Sequence, residues 1–100
     1  MTGPDRITRC TGFDGDDANV VEIWDSHRVS PLECEEAFFN EPLVVGFDAK
    51  RSRAEVRDYV LGRTGAGRLL FVVVTVRRDL LRVVSTRDMS RKERKVYASA

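Results

Sequence analysis

The sequence predicts an α+β domain, on three observations. Two short helical stripes lie early in the chain, the pattern turns extended at Leu43, and Leu69–Val76 (LLFVVVTV) is an almost unbroken apolar run. Short amphipathic helices must each bury one face against a neighbour. A β-branched run with no polar alternation needs cover on both sides, which marks a central strand. The expected order is β-α-α-β-β-β-β-α. Two N-terminal helices pack on one face of an antiparallel sheet, and a short basic C-terminal helix closes the chain. One hundred residues at 42% apolar content make one domain over 7–100, behind a flexible leader at 1–6 that contains Gly3 and Pro4.

Residues 7–13 alternate well enough for a first strand. Asp14, Asp16 and Asp17 then place negative charge at the positive end of a helix macrodipole. Val20, Ile23, Trp24 and His27 follow at i, i+3, i+4 and i+7 as its apolar stripe. Ser30-Pro31-Leu32-Glu33 is a capping box with proline at the first helical position, so a second helix starts there. Cys34, Ala37 and Phe38 are its buried side, and Pro42 stops it. Strands are expected at Leu43–Phe47, Val56–Arg63, Leu69–Val76 and Leu80–Thr86. Thr64-Gly65-Ala66-Gly67 and Arg78-Asp79 supply the turns between the last three. Ser90-Arg91-Lys92-Glu93 is a second capping box, which opens a helix running through Tyr97.

Charge is segregated along the chain. Residues 1–49 hold three basic and eleven acidic side chains, whereas residues 50–100 hold fourteen basic and five acidic ones. A basic surface on a rigid sheet suits a polyanion such as nucleic acid; the alternative is a solvated surface with a basic tail. Cys10 and Cys34 have neither CxxC spacing nor a histidine cluster, which argues against a disulfide scaffold and a structural zinc site, and no metal site is expected. No apolar run is long enough to span a membrane, and residues 1–15 contain no signal-peptide core. A reduced cytoplasmic setting fits. Two helices cover only one face of the sheet, and the basic terminal helix is a thin lid on the other, which leaves room for a partner protein.

Three segments together resemble the BrnT family of type II toxins, which have a RelE-like ribonuclease fold. The first holds Phe13, Asn19, Ile23-Trp24, His27, Val29-Ser30, Glu33 and Glu36, similar to the family's helix-turn-helix with its His-Gly-Val-Ser/Thr corner. The second is Arg57 five residues before Gly62, then Gly67-Arg68 leading into the apolar strand. The third is Arg82-Val-Val-Ser85-Thr-Arg87, followed by Arg91, Glu93-Arg94 and Tyr97. The likeness covers roughly residues 13–97. Arg28 stands where the family usually has glycine, and Val56 where an acidic residue commonly precedes the strand arginine. The resemblance implies a toxin that cleaves messenger RNA without metal or cofactor and inhibits translation and growth. It implies a ribbon-helix-helix antitoxin of BrnA type as cognate partner, RNA as substrate with the ribosome as a further candidate, and DNA contacted only through the antitoxin complex. The rival reading is a degenerate member that keeps partner or nucleic-acid binding but no longer cuts.

RNA cleavage of this kind needs a base for the 2′-hydroxyl, cations for the phosphorane oxygens and an acid for the leaving 5′-oxygen. Arginine suits the middle task because its planar fork grips two phosphate oxygens and stays charged. Arg57, Arg82 and Arg87 are the candidates, each with the alternative of a surface ion pair. Regular strand parity puts Arg82 and Ser85 on opposite faces, so Ser85 joins the site only if a bulge or the strand end intervenes, and otherwise hydrogen-bonds to the backbone. His27, the sole histidine, is a candidate base. Its place at a helix end favours a capping role, which would leave Glu93 or Tyr97 as alternatives. Arg63, Arg91, Lys92, Arg94 and Lys95 are expected to hold substrate phosphates.

Overall fold

The computed structural model describes residues 7, 10–14, 17–51 and 55–100; the leader expected at 1–6 lies outside them. The elements are β1 (Gly12–Phe13), α1 (Asp17–His27), α2 (Pro31–Phe39), β2 (Val44–Phe47), a 3-10 turn (Ala49–Arg51), β3 (Asp58–Arg63), β4 (Leu69–Arg77), β5 (Leu80–Asp88) and α3 (Arg91–Ala98). The strands form one sheet in the order β1-β5-β4-β3-β2. Three hairpin-linked pairs are antiparallel, but β1 runs parallel to β5. The sheet is therefore mixed rather than antiparallel throughout. The first strand is also shorter than expected. Among the described residues, Gly12–Phe13 pair with β5 and the Asp14 N–H bonds the Leu81 carbonyl at 2.8 Å, while residues 8–9 of the expected strand lie outside the described ones.

β4 is the central strand, and its alternation builds both cores. Leu70, Val72 and Val74 face the helices, where they meet Ile23, Val29, Cys34, Ala37, Val60 and Leu81. Phe71 and Val73 face the other way and meet Leu61, Met89 and Tyr97. Leu70, Val72, Val73 and Val74 are fully buried, and each such side chain contributes roughly 1.5–3 kcal/mol. Gly62 lets α2 sit close to β3, since a Cβ there would run into the Ala37 carbonyl.

Both capping boxes form. The Ser30 hydroxyl accepts from the Glu33 N–H while the Glu33 carboxylate accepts from the Ser30 N–H, and Ser90 and Glu93 repeat the pattern. These bonds satisfy amides that the first helical turn leaves without partners. α3 lies on the face opposite α1 and α2. Buried Tyr97 anchors it by donating to the Pro42 carbonyl at 2.7 Å.

The stripe read on α1 is narrower than expected. Ile23 is buried, but Trp24 is 43% exposed and His27 is exposed. α1 packs on β5, the strand next to the sheet's edge. Its C-terminus is closed by Arg68 rather than by the His27 side chain. The Arg68 guanidinium donates to the carbonyls of Arg28 (2.7 Å) and His27 (3.0 Å), to Glu33 (3.2 Å) and to both oxygens of Asp88 (2.7 and 3.2 Å). One side chain thus ties the ends of α1, α2 and β5 to the start of β4. Arg28 takes the left-handed conformation, φ 54°, and its guanidinium lies 5.5 Å from the Trp24 ring. The corner has the backbone shape that favours glycine.

Candidate nucleic-acid interface

β5 does not pair with β4 in a regular register. Val74 lies opposite Val83 and Val73 opposite Ser85, so β5 carries one extra residue, Val84, as a bulge. Its effect is a change of parity. Arg82 pairs with Thr75, Ser85 with Val73, and Arg87 with Phe71. The three partners alternate on the sheet face opposite α1 and α2, so Arg82, Ser85 and Arg87 line up on that same face. A regular strand would have separated Ser85 from Arg82. Thr75 and Phe71 are four residues apart along β4, so the two arginines stand roughly 13 Å apart at the backbone.

Arg87 is held on three sides. Its guanidinium donates to both Glu93 oxygens (2.7 and 2.9 Å) and to the Asp88 carbonyl (3.0 Å), and lies 4.2 Å from the centroid of Phe71. The hydrogen bonds from Arg87 hold the Glu93 carboxyl below the ordinary range. Glu93 therefore stays anionic and already accepts from Arg87 and from the Ser90 N–H. Burial pushes the Tyr97 phenol up, and its proton is committed to Pro42. Both groups considered as alternative bases hold α3 in place: Glu93 is kept as an anion by its donors, and Tyr97 keeps its phenolic proton, so neither is poised to act as a base.

Arg57 directly precedes β3, at the position that continues the Leu61–Tyr59 alternation on this face. Its guanidinium is 4.0 Å from Glu55, whose other oxygen is 3.6 Å from Arg77. Glu55 thus provides the acidic neighbour that Val56 lacks. His27 comes to the free edge of β5, where a cleft of about 150 Å³ is lined by Glu22, Ser26, His27, Val84 and Ser85. The structure thus brings His27 to Ser85, a proximity that spacing alone did not indicate.

A larger groove, about 520 Å³, runs between the sheet and α3. Tyr59, Leu61 and Phe71 form part of its floor, Val96 lies on the helix side, and Lys50, Arg87 and Lys92 outnumber the acidic Asp48 and Glu93 in its lining. Of the four basic residues on α3, only Lys92 lines it; Arg91, Arg94 and Lys95 are exposed elsewhere on the helix, with Arg94 close enough to stabilise the charge of Asp88. Arg63 ends β3 as an exposed residue, near enough to favour ionisation of Tyr97. Lys50 and the platform of Tyr59 were not singled out from sequence. Lys50 sits in a polar loop, and Tyr59 lies within a strand pattern that does not show which face it takes.

The family described as "Ribonuclease toxin, BrnT, of type II toxin-antitoxin system" matches residues 16–93. No individually curated protein matches the chain. Among the described residues no helix is long and apolar enough to cross a membrane. The family match spans both helices, the β3–β4 hairpin, the bulged β5 and the start of α3, and it places this chain in the BrnT family of ribonuclease toxins, whose members work opposite a protein antitoxin.

Proposed function

We propose that the chain is a cytoplasmic toxin that cuts messenger RNA without a metal and so inhibits translation and growth. The observation that carries this is the β5 bulge, which puts Arg82, Ser85 and Arg87 on one face beside an aromatic, cationic groove. Arg87, its fork oriented by Glu93 and Phe71, stabilises charge on the phosphorane, and Arg82 holds a second phosphate further along the strand. Arg57 supports that end of the face. The charge stabilisation is assigned to arginine, whose planar fork grips two phosphate oxygens and stays charged.

Ser85 is a hydrogen-bonding residue at the rim. Proton transfer is assigned to His27, the side-chain type suited to it near neutral pH, because it lines the cleft with Ser85. The earlier expectation that it caps α1 is replaced by the bonds from Arg68. Arg63, Arg91, Lys92, Arg94 and Lys95 hold the flanking phosphates, with ribosomal RNA as a further candidate for this basic surface. The cognate antitoxin, of ribbon-helix-helix BrnA type, covers the face opposite α1 and α2 with an acidic segment. DNA is then contacted only by the antitoxin half.

A second reading has one observation in its favour. Arg87 is already engaged by Glu93, as in a module that binds a partner but no longer cuts. Inducing the chain alone in a bacterial host separates the two. The toxin reading expects growth arrest with fragmented messenger RNA, and arrest of neither kind supports the binding module. Cleavage by the purified chain should persist in EDTA.

A further inference from the structure

We infer that the groove beside α3 is a slot for one unpaired base of the RNA, which stacks on the outer face of Tyr59. The inference rests on the reading of this face as RNA-binding and adds the form of RNA it takes. Tyr59 lies flat over Gly46: a Cβ at Gly46 would collide with the ring at Cε2, Cζ and the hydroxyl. Glycine at 46 therefore lets one face of the ring rest on the β2 backbone. The ring also stacks beside Phe71, centroids 5.8 Å apart and planes 17° apart, and Phe71 is covered in turn by Arg87. The platform is thus fixed from beneath and from one side. Its remaining surface is half-buried and lines the groove.

An aromatic face on a sheet, with cations around it, matches the needs of single-stranded nucleic acid. The base supplies a π surface and the flanking phosphates reach the cations. Here those cations are Lys50, Lys92 and Arg87, the last paired with Glu93, and Asp48 is the other acidic residue of the groove. A base in a duplex is already stacked and paired, so it cannot lie on Tyr59 without being extruded. The groove therefore selects single-stranded regions, loops and ends, and sets which nucleotide sits next to the phosphate at Arg87.

The test is a double-substitution cycle on binding. A fluorescein-labelled 2′-O-methyl oligoribonucleotide of mixed sequence binds but cannot be cut, because its 2′-oxygen is blocked. Abasic sites are moved through it one position at a time, and affinity is read by anisotropy against wild type, Tyr59→Phe and Tyr59→Leu. One abasic position should cost wild type and Tyr59→Phe about tenfold to a hundredfold in affinity. Tyr59→Leu, which keeps apolar cover over Gly46, should bind the intact strand that much more weakly and be indifferent to that abasic site. Hybridising the oligonucleotide to its complement should weaken wild-type binding. If wild type binds RNA and Tyr59→Leu responds to every abasic site as wild type does, the slot is refuted while the RNA reading stands. Loss of affinity for antitoxin alone in Tyr59→Leu would assign the surface to the protein partner and also overturn it. Absence of any RNA binding by wild type would refute the underlying reading itself.

Discussion

Arg68→Ala should be the most destabilising single change on the surface of this protein. The side chain donates five hydrogen bonds, to Glu33, to both Asp88 oxygens and to the carbonyls of His27 and Arg28. These contacts are unequal. The Asp88 side chain is 65% exposed, so water screens that pair and its share is a few tenths of a kcal/mol. Glu33 and Arg68 are both less than a third exposed, and a charge-assisted bond there is worth about 1 kcal/mol. The two carbonyls end α1 and must find water instead, at about 0.5 kcal/mol each. The sum is about 2–3 kcal/mol, or roughly 10–20 °C in Tm for a domain of this size. The loss should also depend on pH. Hydrogen bonds from Arg68 and from the Ser30 N–H hold Asp88 and Glu33 below their ordinary values of 3.8 and 4.5. Depressed carboxyl pKa values contribute stability that is present above the ordinary values and lost as pH falls through the folded ones. The gap between wild type and Arg68→Ala should therefore be widest near neutrality and narrow below about pH 4. Urea melts at several pH values measure both effects. A gap under about 0.5 kcal/mol, or one that widens in acid, would refute the assignment of Arg68 as the tie between these elements.

Arg28→Gly should raise stability by about 0.5 kcal/mol: relief of the left-handed backbone is worth about 1 kcal/mol and the lost contact with Trp24 returns part of it. A thermal melt that moves downward would contradict this. Tyr97→Phe should cost about 1 kcal/mol by removing the bond to Pro42, and hydrogen exchange should show α3 opening before the sheet. His27→Ala should leave the melting temperature nearly unchanged, because Arg68 holds the helix end, yet slow RNA cleavage about a hundredfold or more. Full activity in a folded His27→Ala would remove histidine from the proton transfer.

The elements with local signals were legible in the sequence. Two capping boxes fixed the starts of α2 and α3 to the residue, and the LLFVVVTV run marked the central strand. Long-range features left weaker traces. Parallel pairing of Gly12–Phe13 with β5 depends on where the chain enters the sheet, which alternation does not encode. The exposure of Trp24 goes with the place of α1 over β5 beside the sheet's edge, which helical periodicity does not report. In the site, arginine chemistry singled out Arg82 and Arg87, but period-two parity argued against Ser85. The bulge at Val84 reverses that parity, and no glycine or proline announces it. Arg68 illustrates the same limit: its five bonds go to four residues, at the end of α1 and just beyond it, in α2 and in β5, and only the fold brings them within reach.

The central claim is that arginines gathered by the β5 bulge supply the charge stabilisation for RNA cleavage. Arg82→Ala and Arg87→Lys test it most directly, with single-turnover cleavage of a messenger RNA fragment measured in EDTA. Lysine at 87 keeps positive charge beside Glu93 but loses the two-pronged grip, so its fold should survive better than that of an alanine variant that uncovers Phe71. Each variant should melt within a few degrees of wild type and cleave about a hundredfold more slowly, the usual loss for one charge-stabilising donor. Wild-type rates in both folded variants would contradict the account and move the chemistry off this face.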